Sequence, residues 1–153
     1  FFTVYGHYGR PDMAYFSFAK SIWEEKPIKV FNNGNLYRDF TYIDDIVEGM
    51  VRIMEKPPVP DTNQVRHKVY NIGNHRPENL MDFIRVLENC LGKKAKIRFY
   101  PMQDGDVYQT CADVADLKSD FDFYPDTPIE IGLKKFTDWY LSRYERKISD
   151  YIA

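Results

Sequence analysis

The chain is organised around residues 36–54, which read LYRDFTYIDDIVEGMVRIM. An extended run rich in aromatic residues leads into a segment whose apolar side chains recur every three or four residues, the period of an amphipathic helix. Those side chains are Ile43, Ile46, Val47, Met50 and Met54. Thr41 and Asp44 have the spacing of a capping box, which marks a helix start. We therefore expect a helix here with its apolar face packed on a core.

Three further segments show the same helical period. Their apolar stripes consist of Met13, Phe16, Ala19, Ile22 and Trp23, of Leu80, Ile84, Leu87 and Leu91, and of Ile129, Leu133, Phe136 and Tyr140. Gly92 is placed to end the second of these helices. Thr127 and Glu130 have capping-box spacing at the start of the third, with Pro128 at its first helical position. A shorter helix is predicted after Asp113.

Short runs of β-prone residues alternate with these helices. Strands are predicted at the start of the chain and at residues 28–31, 69–72 and 96–99. Asn33 and Gly34 have the composition of a two-residue hairpin turn, because both tolerate positive φ. Only residues 56–66, with three prolines, resemble a linker. Without an internal repeat, the pattern predicts one α/β unit in which helices cover a small mixed sheet.

The composition excludes several functional classes. A length of 153 residues suits one domain with a sizeable core. A net charge of −2 argues against a broad basic surface for nucleic acid or acidic lipid. No apolar run reaches the roughly 18 residues needed to cross a bilayer, and no export signal opens the chain. We therefore expect a soluble, cytoplasmic protein that binds neither nucleic acid nor membrane.

The cysteine and histidine pattern indicates neither a disulfide scaffold nor a metal site. Cys90 and Cys111 form no C-x-x-C motif, and the histidines are too scattered for a ligand set. We expect no metal, and we expect both cysteines to be buried thiols in a reducing compartment.

The first residues are unusual for the start of a whole domain. Residues 1–5, FFTVY, have strand composition with no preceding turn or cap. We therefore expect the chain to be the C-terminal part of a longer protein, the alternative being a start trimmed for expression.

Known catalytic motifs are missing from the sequence. It contains no G-x-S-x-G and no P-loop, and none of its 12 tyrosines is followed by lysine four residues later. Gly6 and Gly9 begin a glycine-rich pattern, but position 12 is Asp, so no dinucleotide-binding fingerprint is completed. The remaining candidates are binding residues.

Two arginines are placed to bind an anionic ligand. Arg10 lies where a strand leads through two glycines to a helix start, and backbone N–H groups at such a start favour anions. Arg38 lies between aromatic residues just before a helix, where partial desolvation would strengthen its charge. A surface ion pair with Asp12 is the alternative for Arg10, and a local ion pair with Asp39 is the alternative for Arg38.

A turn and a strand end complete the candidates. Residues 103–107, QDGDV, carry two acids that could accept hydrogen bonds from the vicinal hydroxyls of a ribose, the alternative being a solvated turn. Phe31, next to Asn32, could stack on a base, although Phe at a strand end also suits a core.

Several of these segments together resemble a known family. They are, in chain order, FTVYG at 2–6, GRPDMA at 9–14, RDFTYIDDIV at 38–47, YNIGN at 70–74 and GDV at 105–107. They are similar to the C-terminal half of nucleotide-sugar epimerases, above all the UDP-glucuronate 4-epimerase branch of the extended short-chain dehydrogenase/reductase superfamily. The similarity runs from residue 1 to about residue 145. The resemblance implies that residues 1–153 are the nucleotide-sugar-binding portion, with helices packed on a small mixed sheet.

The resemblance implies roles at the nucleotide end of the substrate. Arg38 would clamp the diphosphate. Phe31 and Asn32 would bracket the uracil, while Asp106 and Gln103 would face the ribose and diphosphate.

At the sugar end, the resemblance implies that Thr3 and Arg10 meet the carboxylate of the hexose. This contact would separate a glucuronate enzyme from a glucose enzyme. It would also disfavour loss of carbon dioxide from a 4-keto sugar, because a tightly held carboxylate cannot easily reach the required geometry.

The resemblance also implies a cofactor and partners. In this family an N-terminal Rossmann domain, absent from residues 1–153, binds NAD and supplies a catalytic Tyr/Lys pair, so this chain contributes no catalytic or cofactor-binding residue. The complete protein would be a homodimeric isomerase that interconverts UDP-glucuronate and UDP-galacturonate through a 4-keto intermediate. Residues 1–153 alone would be inactive, and the surface that meets the Rossmann domain would be an exposed apolar patch.

Three alternatives remain open at this point. Within the same superfamily, the complete protein could be a UDP-xylose-forming decarboxylase or a dTDP-sugar dehydratase. From a different class, the chain could be a non-catalytic module that binds nucleotide sugars.

Overall fold

The helices and strands follow one another along most of the chain. The computed structural model describes residues 1–60 and 62–152, with side chains to residue 143. In order, the elements are β1 (Thr3–Tyr5), α1 (Ala14–Trp23), β2 (Pro27–Val30), β3 (Tyr37–Tyr42), α2 (Ile43–Glu55), β4 (Pro77–Asn79), α3 (Leu80–Leu91), β5 (Lys96–Phe99), α4 (Ala115–Phe121) and α5 (Ile129–Ile152). The alternation confirms an α/β architecture.

The strands form two small sheets rather than one. β3 is central in a mixed sheet, parallel to β1 and antiparallel to β4. β2 pairs in parallel with β5 in a separate two-stranded sheet. The predicted hairpin between β2 and β3 is therefore wrong. Phe31–Gly34 instead forms a short 3₁₀ turn in which Asn32 and Asn33 both have positive φ, at 48° and 51°, and this turn directs the chain from one sheet to the other.

The main core lies where α1, α3 and α5 cover the strands. All three predicted apolar stripes contribute to it, and the ring of Phe83 on α3 stacks on Phe40 of β3 with centroids 4.2 Å apart. α3 begins with Asn79, whose side-chain oxygen accepts a hydrogen bond from the backbone N–H of Met81. It ends at Gly92, whose φ of 65° confirms the predicted left-handed cap. Both ends of α3 therefore follow local signals, and packing buries its apolar side.

α2 is a helix, as predicted, but most of its apolar face is not buried. Ile46 is buried, whereas Val47, Met50 and Met54 are 52%, 43% and 78% exposed. The predicted capping box is also wrong, because Tyr42 is the N-cap residue and the Thr41 hydroxyl donates to the Asp39 carboxylate. The helical period reveals that a face is apolar, but it does not reveal what covers that face.

Two other local predictions differ from the structure. Residues 69–72 form no strand. At α5, Pro128 precedes the first helical residue, and the Thr127 hydroxyl donates to Asp45 of α2 instead of capping its own helix. The second difference arises because a tertiary contact takes up the hydroxyl that the local pattern assigned to a helix cap. The predicted short helix after Asp113 is confirmed as α4, and the Asp113 carboxylate accepts the N–H of Ala115.

The two cysteines differ in their exposure to solvent. Cys90 is half-buried, but Cys111 is exposed, so the prediction of two buried thiols is wrong for Cys111. It lies in an irregular segment after residue 109, and its neighbour Ala112 takes the buried position. Among the residues described, no helix is long and apolar enough to cross a membrane.

Candidate functional site

A cavity of about 610 Å³ opens between β1, α1, β2, β3 and the turn at residues 103–106. This volume lies in the range of pockets that bind small molecules. The walls are formed by Thr3, Asp12, Met13, Ala14, Ser17, Phe18, Ser21, Pro27, Ile28, Lys29, Phe31, Leu36, Arg38, Phe40, Leu80, Gln103 and Asp106. Five of the seven predicted binding residues are in this set: Thr3, Phe31, Arg38, Gln103 and Asp106.

Arg38 is the most firmly held charged group on the wall of this cavity. Its side chain is 17% exposed. One guanidinium nitrogen, Nη2, donates to Asp106 Oδ1 over 2.7 Å, and the other, Nη1, donates to the backbone oxygens of Tyr37 and Tyr108 over 2.9 and 3.2 Å. These contacts leave a fixed, partly desolvated cation at the cavity wall, an arrangement suited to a phosphate or carboxylate.

The predicted alternative, a local ion pair between Arg38 and Asp39, is not what the structure contains. Successive side chains of a strand point to opposite faces, so β3 separates the two charges. Asp39 is 0% exposed, and its carboxylate accepts backbone N–H groups of Asn74, His75 and Ala112 at 2.7 to 3.0 Å. Asp39 therefore joins three segments of the chain on the side of β3 away from the cavity.

The turn that carries Asp106 is closed by its own backbone. The N–H of Asp106 donates to the oxygen of Gln103 over 3.2 Å, and Gly105 has a φ of 78°, a value that favours glycine. Asp106 Oδ1 also accepts the N–H of Val107. Asp106 lines the cavity together with Gln103. An acceptor in this position can bind ligand hydroxyl groups.

Phe31 and Thr3 add an aromatic ring and a hydroxyl group to the cavity wall. The ring of Phe31 packs against Tyr100 with centroids 5.7 Å apart, which orients it. Thr3, on β1, pairs with Phe40 of β3, and both line the cavity. Both sheets thus contribute residues to one pocket.

Arg10 and Asn32 are the two predicted residues that do not line this cavity. Arg10 forms the surface ion pair with Asp12 given above as its alternative, and its side chain is 75% exposed. Hydrogen bonding within this pair raises the pKa of Arg10 and lowers the pKa of Asp12. Arg10 lines a neighbouring depression of about 350 Å³, and Met13 borders both spaces. The Asn32 amide donates to the backbone oxygen of Asn35.

Sequence reasoning missed several residues of the cavity, including Asp12, Ser17 and Lys29. Ser17 carries no strong signal, because a serine in a helix usually bonds to its own backbone, as the Ser17 hydroxyl does here to Ala14. Lys29 could have been found from strand alternation, since it lies between the buried residues Ile28 and Val30.

The cavity offers several groups that can bind a ligand. It presents a guanidinium, a carboxylate turn, hydroxyl groups and an aromatic ring. Within the described part of the chain, no group of three or more His, Cys, Asp and Glu side chains is placed to hold a metal ion. The arrangement fits an elongated ligand that combines negative charge, hydroxyl groups and a flat ring.

The chain is similar in sequence to known proteins. A model described as the NAD dependent epimerase/dehydratase family matches residues 1–73. Protein CapI of Staphylococcus aureus is 48% identical over 157 residues, covering 95% of this chain and 47% of that protein. A probable UDP-glucuronate 4-epimerase of Rhizobium meliloti is 40% identical over 159 residues, covering 95% of this chain and 46% of that protein. The chain thus spans about half the length of these relatives.

The chain is also similar to a solved structure. The UDP-glucuronic acid 4-epimerase of Bacillus cereus, crystallised with UDP-glucuronic acid and NAD, matches with a TM-score of 0.82 and 34% identity. The match covers 94% of this chain and 44% of that chain. It confirms the fold class expected from the sequence.

Proposed function

We propose that the chain is the C-terminal, substrate-binding half of a UDP-glucuronate 4-epimerase, a proposal that the match of residues 1–73 to the NAD dependent epimerase/dehydratase family supports. The complete enzyme would interconvert UDP-glucuronate and UDP-galacturonate. The observation that carries the proposal is the Arg38–Asp106 pair, which lies in one cavity with Thr3, Phe31 and Gln103. A fixed cation, hydroxyl acceptors and an aromatic ring match the parts of a nucleotide sugar.

Each part of that substrate has a proposed partner. Arg38 holds the diphosphate, Asp106 accepts hydrogen bonds from the ribose hydroxyls, and the Gln103 amide can bond to the ribose and the diphosphate. Phe31 stacks on the uracil. Asn32 is also a proposed partner of the uracil. Its amide would have to exchange its present hydrogen bond to the backbone oxygen of Asn35 for one to the base.

At the sugar end, Thr3 and Arg10 are the proposed partners of the hexose carboxylate. Thr3 already lines the cavity, whereas Arg10 is bound to Asp12, which does line it. Because Arg10 is highly exposed, its guanidinium can move from Asp12 to an arriving carboxylate without disturbing the core.

The proposed reaction needs a second half of the protein. An N-terminal Rossmann domain would hold NAD and supply a Tyr/Lys pair, and NAD would take up and return the hydride at sugar C4. The exposed apolar face of α2, formed by Val47, Met50 and Met54, is the surface we assign to contact with that domain.

Epimerisation requires that the oxidised sugar turn over between two hydride transfers. The hexose must therefore be loosely held while the nucleotide stays fixed, so binding energy is best placed away from the reacting carbon. Arg38 suits this requirement because three hydrogen bonds, to Asp106 and to the backbone oxygens of Tyr37 and Tyr108, hold it in place.

The identity of the product tests the proposal. The complete protein with NAD should convert UDP-glucuronate to UDP-galacturonate, as separated by chromatography and identified by NMR. UDP-xylose would instead identify a decarboxylase, and turnover of a dTDP-glucose substrate with loss of water would identify a dehydratase. Binding of UDP-glucuronate without any product would identify a non-catalytic module.

The sugar-end assignment has its own test. Arg10→Ala should weaken binding of UDP-glucuronate about tenfold, since a charge-assisted contact is lost, and it should leave UDP binding unchanged. Calorimetric titration of both ligands measures the difference. Equal loss for the two ligands would contradict the assignment of Arg10 to the carboxylate.

A further inference from the structure

The charged side chains that line the cavity are not equivalent. They are Asp12, Lys29, Arg38 and Asp106. Arg38 is paired with Asp106, and Asp12 is paired with Arg10 outside the cavity. Among the side chains that the structure describes, no carboxylate lies within 4.0 Å of the Lys29 ammonium group. It is therefore the cation of this cavity whose charge is not already balanced by an acid.

The position of Lys29 follows from the pattern of β2. Ile28 and Val30 are buried at 3% and 0% exposure, so alternation leaves Lys29 exposed between them, and Ile28 and Lys29 both line the cavity. Its Nζ lies 5.9 Å from the centroid of the Tyr100 ring, and that ring packs against Phe31. An aromatic ring attracts an ammonium group without neutralising it. Lys29 thus places a full positive charge beside the aromatic pair at the nucleotide end.

A diphosphate ligand needs such a charge. Two acids and two bases line the cavity, so its formal charge is zero, and without Lys29 it would be −1. Transferring a dianion from water into an electrically neutral site is unfavourable unless positive charge compensates for the lost hydration. The ammonium group is a point charge on a flexible stem, so it can reach a phosphate oxygen without a fixed orientation.

We propose that Lys29 is a second substrate-binding cation of this site and that it attracts the diphosphate that Arg38 holds. This inference rests on the proposed function, because it assumes a nucleotide diphosphate as the ligand.

The experiment compares two ligands that differ only in the diphosphate. UDP and uridine are titrated calorimetrically into the complete protein loaded with NAD, for the wild type and for Lys29→Met. The variant should bind UDP roughly fivefold more weakly and uridine within about twofold of the wild type, as expected for one partly exposed charge contact. Raising the salt concentration from about 0.05 to 0.5 M should shrink the loss for UDP, because salt screens exposed charges. Lys29→Arg should restore UDP binding.

Arg98 provides a matched control. It lies opposite Lys29 in the register of β2 and β5, is exposed, and likewise forms no ion pair among the described side chains, yet it does not line the cavity. Arg98→Met removes the same charge and should change UDP binding by less than about twofold.

The possible results separate the two proposals. A wild-type protein that binds neither UDP nor UDP-glucuronate overturns the proposed function. A wild type that binds UDP, with Lys29→Met binding it equally well, overturns only the inference about Lys29. Equal losses for UDP and uridine, or equal losses in Lys29→Met and Arg98→Met, also overturn it, because the effect would then not depend on a contact with the diphosphate.

Discussion

On one face of β3, Asp39 is shielded from solvent and its carboxylate is surrounded by backbone N–H groups from two distant segments. On the other face, Arg38 borders an open cavity and is held by a single acid and two backbone oxygens. The two residues are neighbours in sequence and carry opposite charges, but they do not pair. The difference shows that one short motif supplies both an internal support and a binding group, since strand alternation separates them.

The comparison predicts that the two substitutions fail in different ways, and the largest effect concerns Asp39. Asp39→Asn keeps the shape but replaces one accepting carboxylate oxygen with an NH2 group that cannot accept a hydrogen bond, which leaves buried N–H donors unsatisfied. We expect the free energy of unfolding to fall by about 3 kcal/mol or more. Urea denaturation of the complete protein measures the change, and a loss below about 1 kcal/mol would contradict the supporting role of Asp39.

Arg38→Ala should behave in the opposite way. It removes the proposed partner of the diphosphate, so binding of UDP should weaken by about 2 kcal/mol, while the free energy of unfolding changes little because the side chain faces the cavity. Calorimetry and urea denaturation on the same samples provide both values. Unchanged affinity for UDP would remove Arg38 from the site.

Thr110→Val tests the Asp39 face with a smaller change. The Thr110 hydroxyl accepts the backbone N–H of Asp39 over 3.0 Å, and valine preserves the shape without that acceptor. We expect a loss of about 1 kcal/mol in the free energy of unfolding. Affinity for UDP should stay within twofold when measured well below the melting temperature. A stability equal to that of the wild type would show that this bond contributes nothing.

The smallest effect concerns pH and the same face of β3. Burial, followed by the nearby Arg76 charge, lowers the pKa of His75, whose backbone N–H donates to Asp39. The folded state therefore resists protonation of this imidazole, so stability should decline as pH falls below the ordinary histidine value of 6.5. His75→Asn, which tolerates the positive φ of 52°, should reduce this decline. Unfolding curves between pH 7.5 and 5.5 test it, and parallel profiles for both proteins would refute this contribution.

Sequence predicts the fold best where a helix is covered by its own chain. The apolar stripes of α1, α3 and α5 are buried as expected, because each packs on a strand or helix within residues 1–143. α2 has an equally regular stripe, yet Val47, Met50 and Met54 are exposed. Periodicity therefore identified the helix, but it did not reveal that most of its apolar face is left exposed by the described residues.

The candidate site divides in a similar way. Local signals pointed to Arg38 and to the turn with Asp106, because charge between aromatic residues and turn acids can be read from neighbouring positions. That these two side chains bond to each other could not be predicted, since they are 68 residues apart. Phe31 at a strand end and Gln103 in the turn were also local candidates, the resemblance added Thr3, and all three line the cavity. Lys29 was missed because its importance depends on which other charges are already paired.

The long sequence separations around Asp39 also bear on how the protein folds. The backbone N–H groups that donate to its carboxylate lie 35, 36 and 73 residues from Asp39 in the sequence. This hydrogen-bond network therefore cannot form until two long loops have closed. We expect these bonds to form after the rate-limiting step, when most of the surface is already buried. Loss of the carboxylate would then accelerate unfolding far more than it slows refolding. The buried aspartate would thus stabilise the native state mainly by slowing its unfolding.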